Sequence, residues 1–159
     1  MMSETESNPS EINKRKLTLA LAESCTGGII ASIITGIPGA SEFFLGAAVT
    51  YSNKSKTDLL NVDPVILEKY GAVSHQTAEA MVKGAKELFG SDITVSVTGI
   101  AGPTGGTAEK PVGLVFIAID FEGQTKVIRN IFKGSRNDIR SEASRIAVGM
   151  ILDIMEPNE

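Results

Sequence analysis

Residues 19–36 read LALAESCTGGIIASIITG, and a change of pattern inside them decides the fold class. Lys16 to Leu21 has the length and apolar content of a buried strand. Beyond the turn, Ile29, Ile30, Ile33 and Ile34 fall on one stripe of a 3.6-residue period, and Gly36 stands where a helix would end. The β-branched side chains would also suit a strand; the spacing predicts a helix. Between the two runs lie Ser24, Cys25 and Thr26, followed by Gly27 and Gly28. A buried strand that passes through a tight polar turn into a helix is the building unit of an α/β fold.

The same alternation continues outward. GIPGASEF (36–43) is turn chemistry, and FLGAAVTYS (44–52) reads as a second strand. NKSKTDLLNV (53–62) and DPVILEKYG (63–71) read as two short helices, the first capped by Asn53. Ser74 caps a clearer helix with Ala78, Met81, Val82, Ala85, Leu88 and Phe89 on its inner face. DITVSVTG (92–99) is a third strand, followed by the loop IAGPTGGTAEKP (100–111). VGLVFIAID (112–120) and QTKVIRNIFK (124–133) flank Glu122–Gly123 as a hairpin. A last helix starts near Asn137, with a stripe of Ile139, Ala143, Ile146, Ala147, Met150, Ile151 and Ile154. Strand–helix alternation closed by a hairpin predicts a three-layer α/β/α sandwich with a mixed sheet. Residues 1–14 are polar and predict a disordered tail; residues 15–159 predict one domain, consistent with a chain of 159 residues.

Composition excludes several classes. Hydrophobic content is 42% and charged content 21%, the balance of a globular domain. The net charge of −4 argues against a nucleic-acid-coating protein. No apolar run has membrane-spanning length, and the N-terminal residues lack the apolar core of a secretory signal. A single Cys cannot form an internal disulfide, so a reducing cytoplasm is the expected location. One Cys and one His make no Cys/His zinc site.

Three regions hold residues suited to chemistry. With a helix starting near Thr26, Ser24 precedes a helix N-terminus, whose free N–H groups can hold an anion or a developing oxyanion. Gly27 and Gly28 would let a substrate approach the backbone. The same residues also suit a plain N-cap with two packing glycines. A serine nucleophile needs a base. The only His, His75, adjoins the cap Ser74 and reads as part of a helix first turn. The other candidates lie in TYSNKSKTDLL (50–60), where Tyr51 ends a strand and Lys56 lies in a first turn. A lysine there opposes the helix dipole, which favours its neutral form. Lowering a lysine from about 10.4 to about 7–8 costs roughly 4 kcal/mol, part of which burial beside a tyrosine can supply. Without such burial, Lys54 and Lys56 are a solvated helix start. The loop around 98–111 is neither a Walker A nor a G-x-G-x-x-G motif, yet its glycines suit a phosphate cradle. Arg136 and Arg140, at i and i+4 around the start of the last helix, oppose its dipole, which an anionic ligand would relieve; they read most simply as a solvated face pairing with Asp138 or Glu142.

Taken together, AESCTGG, VTYSNKSK, GAVS, TGIAGPTGGTAEKPVG and FKGSRNDIRSEASR, in this order and at this spacing, resemble the CinA C-terminal domain family. The resemblance spans roughly residues 16–155. Characterised members of that family are nicotinamide-nucleotide amidohydrolases, also called nicotinamide mononucleotide deamidases. It implies a mixed-sheet α/β/α fold, a homo-oligomer, and neither metal nor organic cofactor. The domain similar to molybdopterin-binding proteins, present in full-length relatives, has no counterpart here, so the resemblance is to a stand-alone form. It implies Ser24 as nucleophile with Tyr51 and Lys56 acting beside it, and backbone from Cys25, Thr26, Gly27 and Gly28 at the oxyanion. The substrate implied is a small nucleotide, with no nucleic-acid or membrane partner. Its phosphate would meet Thr98, Gly99, Gly102, Gly105, Gly106 and Thr107, with Arg140 as a further cation, reaching into a neighbouring subunit's site. The alternatives are an amidase that uses Cys25 and a nucleotide-binding module without catalysis.

Overall fold

The computed structural model describes residues 13–156. Of the expected disordered tail, residues 1–12 lie outside the described residues, and Asn13 and Lys14 form a turn. The elements run β1 (Leu19–Glu23), α1 (Ile29–Thr35), a single 3₁₀ turn (Ala40–Glu42), β2 (Phe44–Val49), α2 (Asn53–Leu60), α3 (Pro64–Tyr70), α4 (His75–Phe89), β3 (Ile93–Gly99), β4 (Leu114–Phe121), β5 (Gln124–Ile131) and α5 (Arg136–Met155). The five strands form one sheet in the order β2-β1-β3-β4-β5. β2, β1 and β3 are parallel, and β4 and β5 are antiparallel to their neighbours. The sheet is therefore mixed, as the pattern predicts.

Period-two alternation divides the strands between two helical layers. Leu19, Leu21, Ile93, Val95, Val97, Val115, Ile117 and Ile119 face α1 and α5, where Ile30, Ile34, Ile139, Ala143, Ala147 and Ile151 complete the core. On the other face α4 sets Met81 and Ala85 against Ala22 and Ala48, and Ala78 and Val82 against Leu114, Phe116 and Ala118. The chain thus leaves β1 toward one face and reaches β3 from the other. The gap between these neighbouring strands is a topological switch point, where open α/β sheets place their ligands.

α2 packs on α4 at very close range. A Cβ built on Gly84 would lie 1.8 Å from the carbonyl oxygen of Leu60. Backbone cannot move aside cheaply, so Gly84→Ala should cost about 1–3 kcal/mol. The midpoint of urea unfolding checks this; a wild-type midpoint would show that α2 can shift off α4.

Several details differ from the sequence-based expectation, among them the start of β1 at Leu19 rather than Lys16. β1 runs to Glu23, because its ladder with β2 and β3 continues through that residue. α1 starts at Ile29 rather than near Thr26, because Gly27 and Gly28 sit at φ 59° and 104°, outside helical geometry. Ser52, not Asn53, caps α2, its side chain accepting from the Ser55 N–H at 3.1 Å. Leu88, expected on the inner face of α4, is exposed. The hairpin turn falls at Glu122–Gly123 as expected, both at positive φ (52° and 75°), the geometry of a two-residue primed turn.

Candidate active site

Ser24 follows β1 directly, and its N–H donates to the Val97 carbonyl of β3 at 3.0 Å, which places it at the switch point. It is 7% exposed. Lys56, in the first turn of α2, is 1% exposed and among the largest fully buried side chains. Its Nζ lies 3.0 Å from Ser24 Oγ, 2.7 Å from the Thr50 carbonyl and 3.4 Å from the Tyr51 carbonyl. No carboxylate pairs with it among the described residues. Burial pulls its pKa below the ordinary lysine value. A neutral amine has two N–H groups and one lone pair. Two backbone carbonyls receive the N–H groups, and the lone pair is left to accept the Ser24 O–H. The reading of Lys56 as a solvated helix start therefore fails, and Lys54 fits it instead, being exposed and paired with Asp58 one turn on.

Cys25 is buried, and burial pushes its thiol up to about 11. Near neutral pH it is a thiol, which is a poor nucleophile. Cys25→Ala should keep activity within about threefold, and iodoacetamide should label the folded protein slowly at pH 8. Loss of activity with Cys25→Ala would revive the cysteine alternative.

The residues after Ser24 form an arch whose N–H groups are mostly taken. Gly27 donates to the Ser24 carbonyl at 3.1 Å and Ile29 to the Thr26 carbonyl at 3.1 Å. Gly28, Ile30 and Ala31 donate to the carboxylate of Glu23, which is 0% exposed. The N-terminus of α1, expected to receive the oxyanion, is thus already filled by Glu23. The N–H groups of Cys25 and Thr26 have no acceptor among the described residues. Two buried hydroxyls, Thr26 Oγ1 and Thr50 Oγ1, are also without partners there.

The other expected site residues are placed as follows. The Tyr51 side chain is exposed (62%), and its hydroxyl meets Arg136 at 3.1 Å, not Ser24 or Lys56. What Tyr51 offers Lys56 is its backbone carbonyl. Arg136 also donates to the Gly102 carbonyl at 2.8 Å, so it joins the Gly-rich loop to the start of α2. Within its own chain Arg140 donates to the Cys25 carbonyl at 3.0 Å and the Thr26 carbonyl at 3.3 Å, pinning the arch. Neither arginine pairs with Asp138 or Glu142, because Asp138 closes a capping box with Ser135 and Glu142 pairs with Arg145. In the loop, Thr98 Oγ1 donates to the Ala72 carbonyl at 2.7 Å and the Thr107 N–H to the Lys110 carbonyl at 2.8 Å. Those two donors are occupied within the fold. A Cβ on Gly99 would lie 2.7 Å from Val115, and one on Gly106 2.7 Å from the Val112 nitrogen, so both glycines have packing reasons. Gly102 and Gly105 sit at φ 74° and 91°. His75 opens α4 with an exposed ring 3.9 Å from Glu79 and takes no part in the cluster.

Sequence reasoning missed Glu23, and it weighed Arg136 against an anionic ligand without selecting it as a site residue. The signal for Glu23 was an acidic residue ending an apolar strand run, ahead of a helix whose cap position is a glycine.

Comparison with known proteins identifies the family and the fold. The model of the CinA C-terminal domain matches residues 3–155. A CinA-like protein of Geobacter sp. strain M21 is 55% identical over 124 residues, covering 78% of this chain and 30% of the relative. A CinA-like protein of Thermotoga maritima is 50% identical over 137 residues, covering 86% of this chain and 33% of the relative. The chain thus spans about a third of the length of the curated relatives it matches. The crystal structure of competence/damage inducible protein CihA from Agrobacterium tumefaciens superposes with a TM-score of 0.87 at 40% identity, covering 91% of this chain and 89% of that one. That of competence damage-inducible protein A from Klebsiella pneumoniae superposes with a TM-score of 0.86 at 33% identity, covering 92% and 91%. Fold and sequence agree: the chain belongs to the CinA C-terminal domain family.

Proposed function

We propose that this domain is a serine amidohydrolase that deamidates nicotinamide mononucleotide to nicotinate mononucleotide and ammonia, a step of pyridine nucleotide salvage. The observation that carries the reaction class is the buried Lys56 amine, without a carboxylate partner among the described residues, 3.0 Å from Ser24 Oγ. A lysine held neutral beside a serine hydroxyl is a general base next to its nucleophile. The substrate rests on the motif resemblance to characterised nicotinamide-nucleotide amidohydrolases.

In this mechanism the Ser24 proton passes to Lys56 as Oγ attacks the carboxamide carbon. The oxyanion is held by the Cys25 and Thr26 N–H groups, each such donor being worth about 3–4 kcal/mol. The C–N bond breaks, and Lys56 returns the proton to the departing ammonia. Water then attacks the acyl-serine, giving its proton to Lys56; Lys56 passes that proton to Ser24 Oγ as the acyl C–O bond breaks, and the released acid ionises to the carboxylate product.

The phosphate explains why a nucleotide is preferred. The chain carries −4 overall, so attraction of an anion must be local. Arg136 stands where the Gly-rich loop meets Tyr51 and pairs with no carboxylate among the described residues. The test is ammonia release by purified protein from nicotinamide mononucleotide, nicotinamide riboside and nicotinamide. The nucleotide should lead in kcat/KM by about tenfold or more, the equivalent of about 1.4 kcal/mol, and Arg136→Gln should narrow that lead. Equal values for all three would make this a general nicotinamidase. No release from any of them would leave a binding module without catalysis.

A further inference from the structure

We infer that Glu23 is a positioning residue for catalysis, a role that rests on the serine-hydrolase reading above. It occupies the last place in β1, between two neighbours: its carbonyl accepts from the Thr50 N–H at 2.8 Å, and it sits in register with Val97 and Val49. Its carboxylate reaches over the nucleophile arch. Oε1 accepts from the Gly28 N–H at 3.2 Å and the Ile30 N–H at 3.0 Å, and Oε2 from the Ala31 N–H at 3.0 Å. A buried carboxylate must be satisfied by strong donors, and three backbone N–H groups supply them.

Capping alone does not require this arrangement. A Ser or Asp at position 28 would cap α1 locally. Instead the cap position is Gly28 at φ 104°, and the acceptor comes from five residues upstream, on the far side of Ser24. One side chain therefore ties the sheet end of the arch to its helix end. Two consequences follow for the reacting atoms. The span from Ser24 to Gly27 is fixed at both ends, with Arg140 holding its middle carbonyls. The helix N–H groups are consumed, so the unengaged donors beside the nucleophile are those of Cys25 and Thr26. Glu23 thereby sets where the oxyanion is bound without touching it.

The test uses two readouts on full-length protein. One is the rate at which a fluorophosphonate labels Ser24, followed by intact-mass spectrometry; it needs an activated serine and an oxyanion site but no nucleotide. The other is kcat and KM for nicotinamide mononucleotide, normalised to the fraction of protein that labels. Losing one oxyanion donor costs about 10²–10³ in rate, so Glu23→Gln should slow labelling and normalised kcat by at least about 30-fold while KM moves less than about threefold. A variant that melts earlier but labels and turns over at the wild-type rate per active site would make Glu23 a structural cap only and overturn the inference. If Glu23→Gln does not fold, Glu23→Asp decides: its shorter carboxylate should slow labelling in the folded fraction, and wild-type labelling would overturn the inference equally. Wild-type protein that labels at Ser24 but releases no ammonia from the nucleotide would fail the substrate reading, and the labelling comparison would still decide Glu23.

Discussion

Ser24→Ala should give a folded protein whose ammonia release falls by on the order of 10⁴-fold or more. The side chain is small and its one hydrogen bond is to Lys56, so the loss to stability should be no more than about 1 kcal/mol. In the proposed mechanism the loss to chemistry is the attacking atom itself. The remaining rate would come from whatever the arch donors and substrate binding give to attack by water. Circular dichroism and a melting curve would establish the fold, and a coupled ammonia assay the rate. Turnover within about tenfold of wild type would exclude Ser24 as nucleophile.

The second large effect concerns the two lysines of NKSK. Lys56→Ala should lower kcat by on the order of 10³-fold or more, since in the proposed mechanism it removes the base that works as a unit with the nucleophile. Lys54→Ala should change kcat by less than about threefold, because Lys54 is exposed and its partner Asp58 is a surface group. Similar losses in both would place the base elsewhere. The pH profile carries the same content. In the proposed mechanism the active form of Lys56 is the neutral amine, so kcat/KM should rise with pH while the amine is still protonated and level off above its pKa. Burial lowers that pKa, so the plateau should be reached below the ordinary lysine value of about 10.4. A rise that continues past that value would show a solvated lysine and count against the mechanism.

Much of the architecture was readable because local pattern and global fold agree. The switch from period 2 to period 3.6 across residues 19–36 marked β1 and α1, and Glu122–Gly123 marked the hairpin. Boundaries were less legible where glycine conformation decided them: nothing in the letters of Gly27 and Gly28 says that both adopt positive φ and delay the helix to Ile29. The site was legible as motifs and illegible as contacts. Ser24 and Lys56 are 32 residues apart, and their meeting depends on β1, β2 and α2 converging at one sheet edge. A lysine in a helix first turn looks the same in sequence whether it is solvated or enclosed. Arg136 and Arg140 carry a spacing typical of a wet helix face, yet both are spent on carbonyls of distant loops. Acidic neighbours at i+2 suggested pairs, but the capping box had claimed Asp138 and Arg145 had claimed Glu142.

The enclosed amine of Lys56 has a consequence for how such a domain can evolve. A group whose pKa is lower in the folded than in the unfolded chain opposes folding at every pH below its unfolded value. The opposition fades as pH rises from the folded pKa toward the unfolded one. At neutral pH the proposed base is therefore a standing weakness of the scaffold. Selection for heat resistance alone would drift toward an apolar side chain at position 56 and yield sturdier, silent proteins. Only selection that also demands turnover keeps the lysine, so thermal robustness and activity must be screened together in any variant library of this domain.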